Sequence, residues 1–212
     1  MSANEVPLSK MKKDIIIAGV GGQGNIFAGA VICSYAIEKG YNVAGTETIG
    51  AAQRGGSVVS HIRIADGPIH SPLIPAGTAD VLVGMECLEL LRNFHMLGPN
   101  GWYLLNLYRV PTVYTNLGID RYPTMEEIFE SLNLHDLKGV SMPATAKAVE
   151  LGSSQITNMV LLGVLVREDG FFDQARVRAL VETSSPARFR SSNLDGFDAG
   201  YDFRPDVSQS LS

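Results

Sequence analysis

A chain of 212 residues, 45% of them hydrophobic, is long enough to enclose one sizeable core. Its 17 basic and 22 acidic residues leave a net charge of -5, and the basic residues are scattered, which argues against a nucleic-acid footprint or a polybasic membrane surface. The two cysteines, Cys33 and Cys87, lie far apart in apolar segments, so they read as reduced buried thiols and are too few to ligate an iron–sulfur cluster. No segment is long enough to span a bilayer and no secretory leader opens the chain, so the expectation is a cytoplasmic protein.

The first twelve residues form a polar lead-in, and residues 14–19 are an unbroken apolar run that predicts a strand buried on both faces. A turn of Gly19-Val20-Gly21-Gly22-Gln23-Gly24 follows, and then a helix over residues 26–39 that Gly40 stops. Residues 41–46 read as a second strand, but the next ten residues are a glycine-rich loop where a dinucleotide fold would place its crossover helix. The alternation over residues 57–64 predicts a strand that, lacking the crossover, runs antiparallel to a neighbour and makes the sheet mixed. A proline-rich loop over residues 66–78 contains Ser71-Pro72-Leu73-Ile74-Pro75, which could pass close to a partner surface.

Residues 79–85 predict a third buried strand, 86–97 a helix stopped by Gly98-Pro99-Asn100-Gly101, and 102–107 a further strand. A short extended stretch around residues 112–114 precedes Thr124, which opens a helix with a capping-box pattern. Val140 to Met142 closes the sheet, Pro143 begins a helix ending near Gly152, and further helices run over residues 156–167 and 173–182. Together these predict an α/β fold: a Rossmann-like three-layer sandwich with a mixed, mostly parallel sheet, forming one domain over residues 1–183. From residue 184 to 212, the prolines, serines and charged residues with aromatics at Phe189, Phe197, Tyr201 and Phe203 read as a C-terminal arm that needs another surface to lie on.

Gly19, Gly21 and Gly24 match the G-x-G-x-x-G spacing, with Gly22 and Gln23 between them. Three readings stand: the loop binds a phosphate-bearing ligand at a helix N-terminus, lets the helix pack tightly on the sheet, or lines a site shared with another chain. Glu47 lies about where a ribose-binding acid would follow the second strand, which motivates the alternative of a stand-alone NAD- or flavin-binding oxidoreductase. In Gln53-Arg54-Gly55-Gly56-Ser57 an arginine flanked by an amide and two glycines offers a fork of donors on backbone that can approach a ligand closely. The same five residues also suit a plain turn with a solvated arginine.

His61, His70, His95 and His135 show no metal-ligand spacing, so no metal site is expected, and His61 reads as a strand-packing residue. Neither a nucleophile elbow nor a P-loop ending in Gly-Lys-Ser/Thr is present, and no catalytic residue is assigned to the chain itself. Asn158 either caps the apolar helix after it or reaches a ligand. The lack of a catalytic set also admits a purely structural adaptor.

The glycine turn, Gln53 to Arg63, Ser71 to Pro75 and Ala79-Asp80-Val81-Leu82, in that order, together resemble the gamma-domain family of 2-oxoacid:ferredoxin oxidoreductases. Within it the chain is similar to the small (beta) subunit of indolepyruvate:ferredoxin oxidoreductases, and Glu150-Leu151-Gly152 and Thr157 to Gly163 extend the likeness over roughly residues 14–167. The resemblance implies a subunit, inactive alone, of a complex that oxidatively decarboxylates an aryl 2-oxoacid with coenzyme A to acyl-CoA and carbon dioxide, reducing ferredoxin. It implies that thiamine diphosphate and the iron–sulfur clusters sit on a large (alpha) partner subunit. Gly19 to Gly24, Gln53 to Ser57 and Asn158 would then face the shared site, where coenzyme A could be held, with Arg54 as the anion or partner contact.

Overall fold

The computed structural model describes residues 11–50, 56–134 and 137–204. A six-stranded sheet with the order β2-β3-β1-β4-β5-β6 forms its centre, from β1 (Lys12–Val20), β2 (Asn42–Ile49), β3 (Ser57–Ala65), β4 (Ala79–Gly84), β5 (Leu97–Asn106) and β6 (Gly139–Met142). β1, β4, β5 and β6 run parallel, while β3 is antiparallel to both β1 and β2. The sheet is therefore mixed and mostly parallel, as the missing crossover helix predicts.

β1 supplies side chains to two cores. Ile15 and Ile17 pack on one face with α1 (Asn25–Glu38), α5 (Ala144–Glu150), α6 (Thr157–Glu168), α7 (Gln174–Ser184) and α8 (Arg190–Asp202). Ile16 and Ala18 pack on the other with α2 (Cys87–Asn93) and α4 (Met125–Asn133). Full burial of each such isoleucine is worth about 1.5–3 kcal/mol, which accounts for a strand with no polar alternation. The chain thus leaves β1 toward one face and β4 toward the other, and the crevice between their carboxyl ends is where open α/β sheets bind ligands.

Several elements differ from their sequence-based bounds. β2 continues to Ile49, so Glu47 stands on a strand and not in a loop. The helix expected over residues 86–97 ends at Asn93, a single 3₁₀ turn follows, and β5 begins at Leu97, taking in Gly98 to Gly101. Gly101 permits this because a Cβ there would lie 2.8 Å from the Ala79 carbonyl oxygen. The stretch around residues 112–114, expected to be extended, is a short helix, α3 (Val113–Asn116), whose first turn is held by the Thr112 hydroxyl accepting from the Thr115 N–H at 3.2 Å. Pro143 precedes α5 and does not begin it. The capping box at Thr124 forms as the pattern predicts.

Residues 184–204, the described part of the segment expected as an arm seeking a surface, find that surface within the chain. α8 lies along α6 with Phe197 fully buried, and the approach is set by glycines: a Cβ on Gly200 would fall 1.9 Å from the Val160 oxygen, and one on Gly163 2.1 Å from the Phe197 oxygen. α6 is covered on all sides, since every residue from Thr157 to Val166 is buried.

Candidate functional site

Each glycine of the turn between β1 and α1 answers a different demand. A Cβ on Gly19 would meet Gln23 Oε1 at 2.6 Å and Met85 Cβ at 2.8 Å. That Gln23 oxygen accepts the Val20 N–H at 2.8 Å, so the amide folds back over Gly19 and closes the end of β1. Gly22 and Gly24 have positive φ values of 97° and 81°, where other residues are strained. Among the described residues nothing lies within 4 Å of where a Gly22 Cβ would stand, whereas a Cβ on Gly24 would lie 2.5 Å from Asn158 Nδ2. Among the described residues no side chain caps the first turn of α1, which leaves the positive end of its dipole facing the crevice.

Gln53, Arg54 and Gly55 lie outside the described residues, but both feet of their loop are fixed. The Gly50 N–H donates to the Ser57 carbonyl at 2.8 Å, and the Gly21 N–H donates to the Gly56 carbonyl at 3.0 Å. The Ser57 hydroxyl donates to Glu89 Oε2 at 2.6 Å. The two glycine-rich stretches that the sequence singles out therefore meet through their backbones, and the Gly21 amide is taken by protein.

Asn158 does not cap α6. Its amide nitrogen donates to the Gly24 carbonyl at 3.1 Å and its oxygen accepts the Met159 N–H, so it clamps the glycine turn from the neighbouring helix. Asn25 performs a matching task from α1, donating to the Val58 carbonyl at 3.1 Å and, more weakly, to Ile17 at 3.4 Å. Its oxygen is buried without a partner among the described residues.

The carboxyl end of β4 holds polar residues that sequence reasoning missed. Glu86 is 1% exposed and accepts the Glu89 N–H at 2.7 Å, the Val110 N–H at 3.3 Å and the Tyr122 hydroxyl. Burial raises its carboxyl above the usual range, although these donors pull the other way. Tyr122 also accepts the Leu88 N–H at 3.0 Å and stacks under the Arg109 guanidinium, and burial with its acidic neighbour pushes its phenol well above the usual range. Glu89, likewise 1% exposed, holds Ser57 through one oxygen and Arg92 through the other at 2.5 Å. Asn106, at the end of β5, donates to Met85 O and to the Thr145 hydroxyl, both at 2.8 Å. The signal in the sequence is a pair of acids, three apart, directly after a buried strand.

Around the turn lie two cavities. One of about 160 Å³ is lined by Gly22, Gln23, Tyr108, Thr145, Gln155 and Thr157 among others. The second, of about 450 Å³, lies between α1, α6 and α8 and shares Gln155 with the first; Asn158 and Arg188 line it. A more open depression of about 780 Å³ beside α4 shares no residue with either loop.

The residues that motivate a dinucleotide site are not brought together. Glu47 is exposed on the edge strand β2 with β3 between it and β1, a lateral separation of about 10 Å across two strand spacings. His61 is a strand-packing residue: its Nδ1 accepts the Ile74 N–H at 3.3 Å, and burial lowers its pKa. Arg63 holds the same proline loop, donating to the Ser71 and Leu73 carbonyls at 3.1 and 3.3 Å. The loop over residues 71–75 is thereby tied to β3, leaving Leu73 exposed.

Residues 14–203 match the protein family described as pyruvate ferredoxin/flavodoxin oxidoreductase. The chain is 33% identical over 189 residues to the indolepyruvate oxidoreductase subunit IorB of Pyrococcus horikoshii, covering 88% of this chain and 93% of the relative. It is 28% identical over 193 residues to the 2-oxoglutarate synthase subunit KorC of Methanothermobacter thermautotrophicus, covering 90% and 94%. Among solved structures, the pyruvate oxidoreductase subunit PORC of Thermotoga maritima shares the fold with a TM-score of 0.67 at 23% identity, over 90% of this chain and 96% of that one. The 2-oxoglutarate:ferredoxin oxidoreductase of Magnetococcus marinus, solved with 2-oxoglutarate, coenzyme A and succinyl-CoA bound, matches with a TM-score of 0.68 at 21% identity. There 90% of this chain corresponds to 30% of the longer chain.

Proposed function

Because the chain belongs to the pyruvate ferredoxin/flavodoxin oxidoreductase family, we propose that it is the small subunit of an indolepyruvate-type 2-oxoacid:ferredoxin oxidoreductase. The large partner subunit carries thiamine diphosphate and the iron–sulfur clusters, and the complex converts an aryl 2-oxoacid and coenzyme A to acyl-CoA and carbon dioxide while reducing ferredoxin. The small subunit contributes one wall of the site. The observation that carries this reading is the hydrogen bond from Gly21 to Gly56, which joins the glycine turn to the arginine loop beside an uncapped helix N-terminus.

In this reading Gly19, Gly21, Gly22, Gln23 and Gly24 form the floor, Gln53, Arg54, Gly55, Gly56 and Ser57 the rim, and Asn158 the support of the floor. The helix N-terminus and the Arg54 guanidinium favour an anion, and the phosphates of coenzyme A supply one. The test is reconstitution with the large subunit. Arg54→Ala is expected to raise the coenzyme A concentration for half-maximal rate about tenfold, the size of one charge-assisted contact of roughly 1.4 kcal/mol. Unchanged coenzyme A dependence together with unchanged assembly overturns the assignment of Arg54.

A further inference from the structure

We infer that Glu89 is a positioning residue for the shared site: it touches no ligand, but its buried carboxylate sets Gly56 and Ser57, the foot of the arginine loop, against the glycine turn. The inference rests on the reading of that loop as the rim of the site.

Glu89 sits in the first turn of α2, on the α2/α4 side of the sheet, and is 1% exposed. Its backbone N–H is held by Glu86 Oε2 at 2.7 Å, so its Cα has little freedom. Among the described residues each side-chain oxygen has one partner: Arg92 at 2.5 Å compensates the charge, and Ser57 at 2.6 Å receives the positioning contact. Ser57 is the foot of the loop, since its carbonyl accepts the Gly50 N–H and the adjacent Gly56 carbonyl accepts the Gly21 N–H. A carboxylate of α2 is thus linked in two steps to the amide at the centre of the glycine turn. The register agrees, because Val20 faces Ser57 across the β1–β3 ladder and the site begins where that ladder ends.

A buried carboxylate is costly unless its oxygens are used, and a lone helix-stabilising acid could equally lie in solvent on the exposed face of α2. Holding Ser57 gives this one a reason to be inside. Losing one methylene by Glu89→Asp retracts the oxygens by about 1.5 Å, beyond hydrogen-bond reach of Ser57. Glu89→Gln keeps the length and one acceptor oxygen.

The experiment uses the complex with the large subunit and two readouts. Amide exchange followed by mass spectrometry is expected to show Gly21 and Gly50 exchanging about tenfold faster in Glu89→Asp and in Ser57→Ala, with the amides of α4 and α6 unchanged. In steady-state kinetics Glu89→Asp raises the coenzyme A concentration at half-saturation about three- to tenfold while leaving kcat within twofold, and Glu89→Gln restores both readouts at least in part. If Gly21 and Gly50 exchange at the wild-type rate in Ser57→Ala, which removes only a hydroxyl and leaves Glu89 in place, the inference is overturned. Faster exchange with unchanged coenzyme A dependence upholds the link from Glu89 to the loop and defeats instead the placement of coenzyme A at that rim.

Discussion

Asn158 on α6 donates to the carbonyl of Gly24 at 3.1 Å, so a residue 134 positions along the chain fixes the left-handed residue that starts α1. The contact is steric as well as polar, because a Cβ on Gly24 would lie 2.5 Å from the same nitrogen. Asn158→Ala is expected to cost about 1–2 kcal/mol, the worth of a buried hydrogen bond whose carbonyl loses its partner. Gly24→Ala adds about 1–3 kcal/mol of backbone strain to the clash. In a double-mutant cycle by urea unfolding, Gly24→Ala is expected to cost less on the Asn158→Ala background than alone, since the clashing amide is gone. Strict additivity would rule out the clamp.

α6 and α8 test a different dependence on glycine. Gly200 has the Val160 carbonyl oxygen 1.9 Å from where its Cβ would stand, and backbone cannot yield as a flexible side chain does. Gly200→Ala is expected to force the helices apart and to cost about 3 kcal/mol or more, lowering Tm by about 10 °C for a chain of this length. Gly170→Ala is the control, because nothing among the described residues lies within 4 Å of its Cβ position. Calorimetry on both variants checks the pair.

These glycines also explain what could be read from the sequence and what could not. β1 was legible because burial on both faces leaves a run of four apolar residues, Ile15 to Ala18, that no surface strand would carry. The antiparallel β3 followed from a loop too short and too glycine-rich to be a crossover. α8 was hidden because its buried face is Asn193, Gly196, Phe197 and Gly200, and glycine there signals a breaker when it is in fact the means of close approach. At the site, the glycine turn is local in sequence and announced itself by spacing. Glu86 and Glu89 did not, since their partners Tyr122 and Ser57 are 36 and 32 residues away and only the fold brings them together.

Glu86 makes stability fall as the solution becomes more basic. Its folded-state pKa is raised above the ordinary 4.5 by burial, so the native state binds its proton more tightly than the unfolded chain does. The stability from this group is fully present below about 4.5 and is lost as pH rises through the folded-state value. Glu86→Gln removes that dependence. Urea unfolding of the two proteins from pH 4 upward is expected to show Glu86→Gln gaining on the wild type as pH rises; parallel curves would mean that the Tyr122 and backbone donors fully offset the burial.

His61 acts in the opposite sense and over a higher range. Burial depresses its folded-state pKa below the ordinary 6.5, and the lone pair of its Nδ1 is occupied by the Ile74 N–H, a bond that only the ring unprotonated at that nitrogen can make. The unfolded chain therefore takes up the proton first as pH falls below about 6.5, and the stability supplied by the neutral ring is lost as pH descends through the folded-state value. What that bond holds is the loop over residues 71–75, with Ile74 buried beneath it. His61→Gln is expected to be about 1 kcal/mol less stable than wild type at pH 7.5 through poorer hydrogen-bond geometry. Its deficit should shrink as the solution is taken toward pH 5, because glutamine does not titrate. Limited proteolysis locates the effect: at pH 5 cleavage near Leu73 should rise in the wild type relative to pH 7.5, and should change little with pH in His61→Gln. Equal pH dependence in the two proteins would transfer the acid sensitivity of this loop to another group.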